Sequence, residues 1–406
     1  MKIPLACIGL RDGDIASAIE VLNSGDLTMG RQVHEFEKEI SKYLGTKHFV
    51  MMNSGSSANL AMVEALLRPA KSKALLNPGD HVLVPAIAWP TTIWPIIQLG
   101  LEPVFVDIDP SNLAMDLKLA QLAVDSSAGK VKALFPIHPL GYSISPKELE
   151  TFSERNNLVL INDVCESLGS WREGKHAGTS GIGGSFSFYF SHHITTMEGG
   201  GVATNNDFFA DDLRSIRSHG WSRDRSDVTD WSTGVSGNDA KFLFVSTGYN
   251  VRPMEVQAAI GRSQIRDIDS FINRRRYIAE TVNNEIVGTD LKMIDAGALS
   301  EDKTLEHSWM LLPLIITGEN SASKKKALIL ALEKAEIETR PILTGNFLSQ
   351  PAMKTIKRNS QKPESFTNAT LITDTAFMVG AHHALTDEQV QYLAKTLGKL
   401  AREILI

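Results

Sequence analysis

Four groups of residues in this chain have the types and spacing that chemistry needs. Asn53-Ser-Gly-Ser-Ser-Ala-Asn59 is a turn of small residues between an apolar run and a helical one. Free amides and hydroxyls at a helix N-terminus make a phosphate site, although a capped helix start reads equally well from that turn alone. Asp163-Val-Cys-Glu166 closes the apolar run 158–163. A carboxylate at the C-terminal end of a buried strand stands where open α/β sheets bind ligands. It can pair with a protonated pyridine nitrogen and keep that ring an electron sink, or simply cap a helix. Trp89, just after the run His81–Pro85, offers a flat ring for stacking, and Ser187 offers a further hydroxyl for a phosphate. Lastly, His192 and His193 follow Phe188-Tyr-Phe-Ser191. With an unperturbed pKa of ~6.5, a histidine serves as base and acid near neutrality. A satisfied polar pair in a loop is the structural alternative, and a metal site would need further His or Asp nearby.

The composition narrows what these groups can serve. The chain has 406 residues, 22% of them charged, and a formal net charge of −6. That length suits a large core and two domains. The charge argues against a dedicated binder of nucleic acid or of anionic membranes. Any phosphorylated ligand must therefore be held by backbone amides and a few chosen cations. The two cysteines, Cys7 and Cys165, cannot build a disulfide framework, nor supply the thiolates of a cysteine-ligated zinc or iron–sulfur centre. The first residues are too poor in apolar side chains for a signal peptide. No apolar run approaches the ~20 residues of a membrane span. The expectation is a soluble, cytoplasmic protein.

The elements that must position the candidate groups alternate along the chain. A first helix follows Asp14, with Ile15, Ile19 and Leu22 on one face, and Ser24–Gly30 reads as a loop. Helical character returns over 33–43. Short apolar strands are expected at 47–52, 81–85, 104–107, 132–136 and 158–163, with a turn at 53–57 and a helix at 58–67. Apolar strands separated by helices predict an α/β fold, with a mainly parallel sheet covered on both faces. The polar stretch 223–241 reads as a surface loop. One long helix is expected from about 253 to 285, with the domain change near its C-terminal part. Residues 1–275 then form an N-terminal arm and large domain, and 276–406 a smaller α+β domain. That domain closes on a helix with a Thr386/Gln389 capping box and Val390, Leu393, Leu397 and Leu400 facing inward.

Singly these signals are weak, but their order is specific. The chain resembles the DegT/StrS-type sugar aminotransferases, of fold-type I aspartate aminotransferase-like architecture. The resemblance covers nearly the whole chain and rests on Leu27-Thr-Met-Gly30, Ser54–Asn59, Asp163–Glu166, Glu198-Gly-Gly200, Gly248-Tyr-Asn250 and Arg340-Pro341. It implies that Ser56, Ser57 and Ser187 hold the phosphate of pyridoxal 5′-phosphate, that Trp89 stacks on its ring and that Asp163 pairs with its nitrogen. It places Glu166 near the ring hydroxyl, where relatives often carry Gln or His. Asn250 would reach the phosphate from a neighbouring subunit, so the resemblance implies a homodimer.

One departure changes the expected reaction. The family's cofactor lysine lies six residues before the acidic residue of the acidic-Gly-Gly turn. Counting back from Glu198, that slot holds His192. A histidine can move protons but cannot form a stable imine with an aldehyde. The segment resembles the small branch of 3-dehydratases, which keep the cofactor unanchored as pyridoxamine phosphate. One type acts on CDP-4-keto-6-deoxyglucose and needs a [2Fe–2S] cluster and a reductase. The other acts on GDP-4-keto-6-deoxymannose and needs neither. Two cysteines favour the second.

The resemblance then implies a hydro-lyase of 3,6-dideoxysugar and lipopolysaccharide O-antigen biosynthesis. It would take L-glutamate and a nucleotide-linked 4-keto-6-deoxy sugar, with His192 as acid–base catalyst and no nucleic acid or membrane partner. The loop Asp26, Leu27, Thr28, Met29, Gly30 would touch the nucleotide sugar, with His193, His219 and Arg223 on the substrate side. Arg252 and Arg340 would serve glutamate carboxylates or the diphosphate, and Glu338 would reach the sugar or nucleotide. A 4-aminosugar-forming aminotransferase and a catalytically inactive, cofactor-binding regulatory homologue remain as other readings. The missing lysine makes a direct prediction. Borohydride will not attach the cofactor to the protein, and recovery of a peptide bearing reduced cofactor would contradict the reading of His192.

Overall fold

The computed structural model describes residues 1–7, 9–235, 237–299, 304–356 and 361–405. Its strands, in chain order, are β1 (His48–Met52), β2 (His81–Pro85), β3 (Glu102–Val106), β4 (Val131–Leu134), β5 (Val159–Asp163), β6 (Trp171–Arg172), β7 (Lys175–His176), β8 (Gly183–Ser187), β9 (Gly200–Thr204), β10 (Leu291–Met293), β11 (Leu305–Glu306), β12 (Leu311–Ile316), β13 (Thr339–Pro341) and β14 (Ala376–Gly380). A seven-stranded sheet has the order β1-β9-β8-β5-β4-β2-β3. Only β9 runs against its neighbours. β1 to β5 are mainly apolar, as strands covered on both faces are, whereas β8 (Gly-Gly-Ser-Phe-Ser) and β9 (Gly-Gly-Val-Ala-Thr) are buried but rich in small residues. A four-stranded antiparallel sheet, β10-β12-β14-β13, builds a second core, together with Val390, Leu393 and Leu397 of the last helix.

The sheet direction sets the site. In the parallel part, β1, β2, β5 and β8 all end on one edge, and each expected cofactor group follows or closes one of them. Ser56 and Ser57 follow β1, Trp89 follows β2, Asp163 closes β5 and Ser187 closes β8. Two glycines let these exits approach. A Cβ on Gly55 would lie 2.5 Å from Ser187 Cβ, and one on Gly200 would lie 2.4 Å from the Gly55 nitrogen. Any side chain at either position would push the turn after β1 away from β8 and β9.

Several elements differ from the sequence expectation in informative ways. The first helix is Asp12–Ser24, and Ile15, Ile19 and Leu22 do share a face, but it is exposed to solvent. Its buried side is set by Val21 and by Asp14, which pairs with Arg11. The helix expected to begin at 58 begins at Gly55, so Ser56 and Ser57 lie in its first turn. The long helix expected over 253–285 is two, Glu255–Ile265 and Ile268–Ile286, separated at Arg266–Asp267. The second crosses between cores: Phe271 and Ile272 pack with the large domain, while Ile278, Val282 and Ile286 pack with the second core. Ile3 also packs in that second core. The stretch 223–241 is largely exposed and includes a short helix, Val228–Ser232. The capping box of the last helix forms, with Gln389 N donating to Thr386 Oγ1 and Thr386 N to Gln389 Oε1.

Glu255 holds the loop that precedes helix Arg31–Leu44. Its buried carboxylate accepts from the amides of Gly30, Gln32 and Val33, at 2.8, 2.8 and 3.0 Å. These are helix N-terminal donors with no partner inside the helix. Glu255→Ala leaves them unpaired and should cost about 2 kcal/mol. A variant that melts at the wild-type temperature would show that the loop does not depend on this cap.

Candidate active site

The strand exits enclose a pocket of about 350 Å3, lined among others by Ser56, Trp89, Asp163, Glu166, Ser187, His192 and Arg340. Asp163 lies at its floor. Oδ2 accepts from Asn59 Nδ2 at 2.8 Å and from Thr92 Oγ1 at 2.7 Å, while Oδ1 accepts from the Cys165 amide at 3.0 Å. The Cys165 thiol is a further hydrogen-bond partner of this carboxylate. Among the described residues no cation pairs with this buried carboxylate. An unpaired buried charge is costly, so the floor is suited to a ligand that brings a positive N–H. The hydroxyls of Ser56 and Ser187 stand at the start of helix Gly55–Leu67. There the helix dipole and free amides favour an anion. Trp89 and the guanidinium of Arg340 form one wall, the cation 5.2 Å from the ring centroid. These residues fit pyridoxal phosphate: a carboxylate for the ring nitrogen, an aromatic wall and hydroxyls at a helix start.

His192 closes the pocket on the side of β8. Its Nδ1 is 3.2 Å from the Ser187 carbonyl oxygen. A carbonyl only accepts, so Nδ1 carries the hydrogen and Nε2 keeps its lone pair. Loss of solvation pushes the imidazole pKa from 6.5 down to about 4, opposed by the Ser187 carbonyl and reinforced by Arg275. The ring is therefore neutral at pH 7 and ready to accept a proton. Glu166 shifts the other way: burial raises its carboxyl from 4.5 to about 7, and Asp163 adds to the rise against the Leu140 amide and Arg340. Burial also pushes the Cys165 thiol well up, so it remains a neutral wall.

Other expected residues lie outside this pocket. Ser57 donates its amide to Ser54 Oγ within the helix cap. His193 is fully buried and turns away, its Nε2 donating to the Ser308 carbonyl at 3.2 Å. Asn250 is exposed, on the bridge it forms with Ser218. His219 and Arg223 are exposed, Arg223 lying over Trp221, and Arg252 is half-buried. Asp26, Leu27 and Thr28 are exposed, Met29 and Gly30 half-buried, in the loop held by Glu255. Glu338 pairs with Lys2 and the Leu5 amide. Conversely, the sequence reading assigned no role to Asn59 and Thr92, which fix Asp163, or to Tyr189 and Glu198, which line the pocket. Asn59 and Thr92 lie near the start of the helices that follow β1 and β2, positions that are marked only once Asp163 is known to lie between.

This arrangement is that of a fold-type I, pyridoxal phosphate-dependent protein. The chain belongs to the DegT/DnrJ/EryC1/StrS aminotransferase family, whose model matches residues 10–398. It is 37% identical over 402 residues to a GDP-4-keto-6-deoxy-D-mannose 3-dehydratase of Yersinia pseudotuberculosis, covering 98% of this chain and 99% of that protein. A solved GDP-4-keto-6-deoxymannose-3-dehydratase, a histidine-to-asparagine mutant with bound GDP-perosamine, superposes with a TM-score of 0.86 at 34% identity, covering 98% of this chain and 100% of that one. Another, with a trapped PLP–glutamate adduct, gives 0.84 at 32% identity, again covering 98% and 100%.

The raised carboxyl of Glu166 makes a pH-dependent prediction for the cofactor-free protein. A group whose folded pKa is raised contributes stability below its unfolded value near 4.5, and that stability is lost as pH rises through about 7. Glu166→Gln should therefore raise the melting temperature at pH 8, on the order of 2 °C for each kcal/mol relieved, and change it little at pH 4. Equal shifts at both would show that Glu166 titrates normally.

Proposed function

We propose that this chain is a pyridoxal/pyridoxamine phosphate-dependent 3-dehydratase of a nucleotide-linked 4-keto-6-deoxy sugar, GDP-4-keto-6-deoxymannose first, with L-glutamate as amino donor. The observation that carries the reading is a neutral His192, half-buried in the pocket, in the slot of the family's lysine. The bound cofactor supplies an amine for the C4 ketone and a ring that accepts electrons. Asp163 holds the ring nitrogen protonated, Ser56, Ser57 and Ser187 hold the phosphate, and Trp89 with Arg340 covers the ring. Glu166 faces the ring hydroxyl. His192 Nε2 takes a proton on the pocket side and returns it to the hydroxyl leaving from sugar C3. The electron balance closes without iron or a reductase. Oxidation of glutamate to 2-oxoglutarate and ammonia supplies the two electrons that replace C–O by C–H at C3.

The residues outside the pocket support a homodimer. Asn250 is exposed and cannot serve its own pocket from where it lies. Apolar Leu27, Phe190, Met197 and Met254 are also exposed, as is Tyr189 at the pocket. In the dimer, Asn250 reaches the partner's phosphate site. The exposed Asp26–Thr28 loop, His219 and Arg223 meet the nucleotide sugar there, with Arg252, Met29 and Gly30 behind them. Glu338 is the outlying member, just before β13, where it pairs with Lys2 and the Leu5 amide. The setting is deoxysugar synthesis for lipopolysaccharide O-antigen, in the cytoplasm. No helix among the described residues is long and apolar enough to cross a membrane.

The decisive experiment is mass spectrometry of products from a panel of nucleotide-linked 4-keto-6-deoxy sugars with glutamate. One 2-oxoglutarate should form for each 3-deoxy sugar. A 4-amino sugar as the main product would replace this reading by an aminotransferase. His192→Asn should bind cofactor as before and lose ~10²–10⁴ in dehydration rate; near wild-type turnover would remove His192 from the proton-transfer role. Mixing His192→Asn with Asn250→Ala subunits should restore about a quarter of wild-type activity, because a symmetric mixed dimer keeps one intact site. No recovery on mixing would argue against the shared site.

A further inference from the structure

Behind His192 lies a second, small cavity with room for about one water molecule. It is lined by Cys7, His193, Arg275, His382 and His383, with the back of His192 itself. Arg275, on helix Ile268–Ile286, is 1% exposed, and among the described residues no carboxylate pairs with it. A buried cation of this kind is tolerated only when its donors are used. Here they are used on peptide oxygens. One terminal nitrogen donates to the carbonyls of Met310 at 2.7 Å, Trp309 at 3.3 Å and Ala381 at 3.4 Å. The other donates to the His192 carbonyl at 3.2 Å.

Those carbonyls come from three separate segments. Trp309 and Met310 lead into β12, Ala381 follows β14, and His192 sits in the loop after β8. Residue 193 adds a second tie between the same loop and the same lead-in, through Ser308. The lead-in itself is fastened to the large domain, since the amides of Ser308 and Met310 donate to Gly141 and Leu140. The His192 peptide is thus clamped between the two cores by one planar fork. The orphaned polar atoms match a bridging water: Arg275 Nε has a proton to donate, and His193 Nδ1, with Nε2 donating, has a lone pair to receive one.

We propose that Arg275 is a positioning residue for the His192 base. Its guanidinium fixes the His192 peptide against the entry to β12 and the exit of β14, so that the imidazole's place follows the C-terminal sheet. Its charge disfavours the imidazolium. Asp163, Glu166, Glu198 and Arg340 face His192 from the pocket side, while His193, Cys7, His382 and His383 face it with Arg275 from behind. Of these Arg275 and Arg340 oppose protonation of His192 and Asp163 favours it.

The inference rests on the proposed role of His192, and its test separates the two. The first measurement needs neither cofactor nor sugar: NMR titration of histidine-labelled, cofactor-free protein, with the His192 signal assigned by its loss in His192→Asn. The wild-type midpoint should fall below the ordinary histidine range, and Arg275→Gln should raise it. Arg275→Lys keeps the charge but loses the fork. It should leave the midpoint in place while lowering kcat of the holoenzyme about tenfold or more, as misplacement of a catalytic group does, with KM for the sugar and cofactor affinity little changed. An ordinary wild-type midpoint, one unmoved by Arg275→Gln, or Arg275→Lys with wild-type kcat, would each overturn the proposal. Should Arg275→Gln fail to fold, the wild-type titration and the lysine variant still decide. Absence of dehydratase activity in the wild type would instead fall on the functional reading and leave the titration to judge Arg275.

Discussion

One carboxylate organises the site. Asp163 closes β5, and its Oδ2 is held by Asn59 from the helix after β1 and by Thr92 from the helix after β2. Three strand exits are therefore locked around one buried negative charge. Neutral donors orient that charge without cancelling it. The remaining demand for a cation is what a pyridinium nitrogen satisfies, and that nitrogen must stay protonated for the ring to accept electrons. The packing that lets these exits converge is equally strict. Gly55 and Gly200 let the turn after β1 lie directly on β8 and β9, which brings the helix N-terminus to the place where a phosphate would sit. Charge, hydroxyls and helix dipole are then in register because the sheet is parallel, not because any one loop is well shaped.

The same geometry explains what could be read from the sequence. β1 to β5 were legible because strands buried on both faces are mainly apolar, while β8 and β9, rich in glycine and serine, carried no such run; Trp89 and Asp163, at or just after C-terminal strand ends, were marked by position. Trp89 and Asp163 were named that way, Ser56 from its small-residue turn, Ser187 for its hydroxyl, and Glu166, His192 and Arg340 from the family resemblance; all share the pocket. The capping box at Thr386 was legible because its signal is local. What failed to show depends on contacts distant in sequence. Ile15, Ile19 and Leu22 have a helical spacing suited to a core, but periodicity does not say which side faces it. The break at Arg266–Asp267 carries no Gly or Pro to announce it. Arg275 looks like one of three successive surface arginines, and only the fold buries it against four carbonyls.

Residues placed outside the pocket follow a consistent rule. Asn250, His219, Arg223 and the Asp26–Thr28 loop are exposed, and the Thr28–Met254 bridge ties that loop to the stretch carrying Asn250 and Arg252. The Ser218–Asn250 bridge adds His219 and Arg223 to the same stretch of surface. In the dimer proposed above, this surface, with the exposed Leu27 and Met254 beside it, would face the second subunit. His193 is different, because it belongs to the wall behind the base.

Replacing lysine by histidine exchanges a covalent hold for a positional one. A lysine that bonds its cofactor is located by that bond. An imidazole that only moves protons must be located by the protein, and it works only if Nε2 is unprotonated and aimed at the pocket. The Ser187 carbonyl sets the tautomer through Nδ1, burial keeps the ring neutral, and Arg275 holds the peptide. Burial dominates the effect on charge, since the Ser187 carbonyl and Asp163 both favour protonation and the ring still remains neutral. In the proposed reading, a cofactor held without a bond would be retained by Asp163, the serine hydroxyls and the Trp89–Arg340 wall. The elements that bind it are therefore drawn from the rigid sheet edge, while the base stands at the junction with the second core, where a small movement changes its aim without loosening the ring.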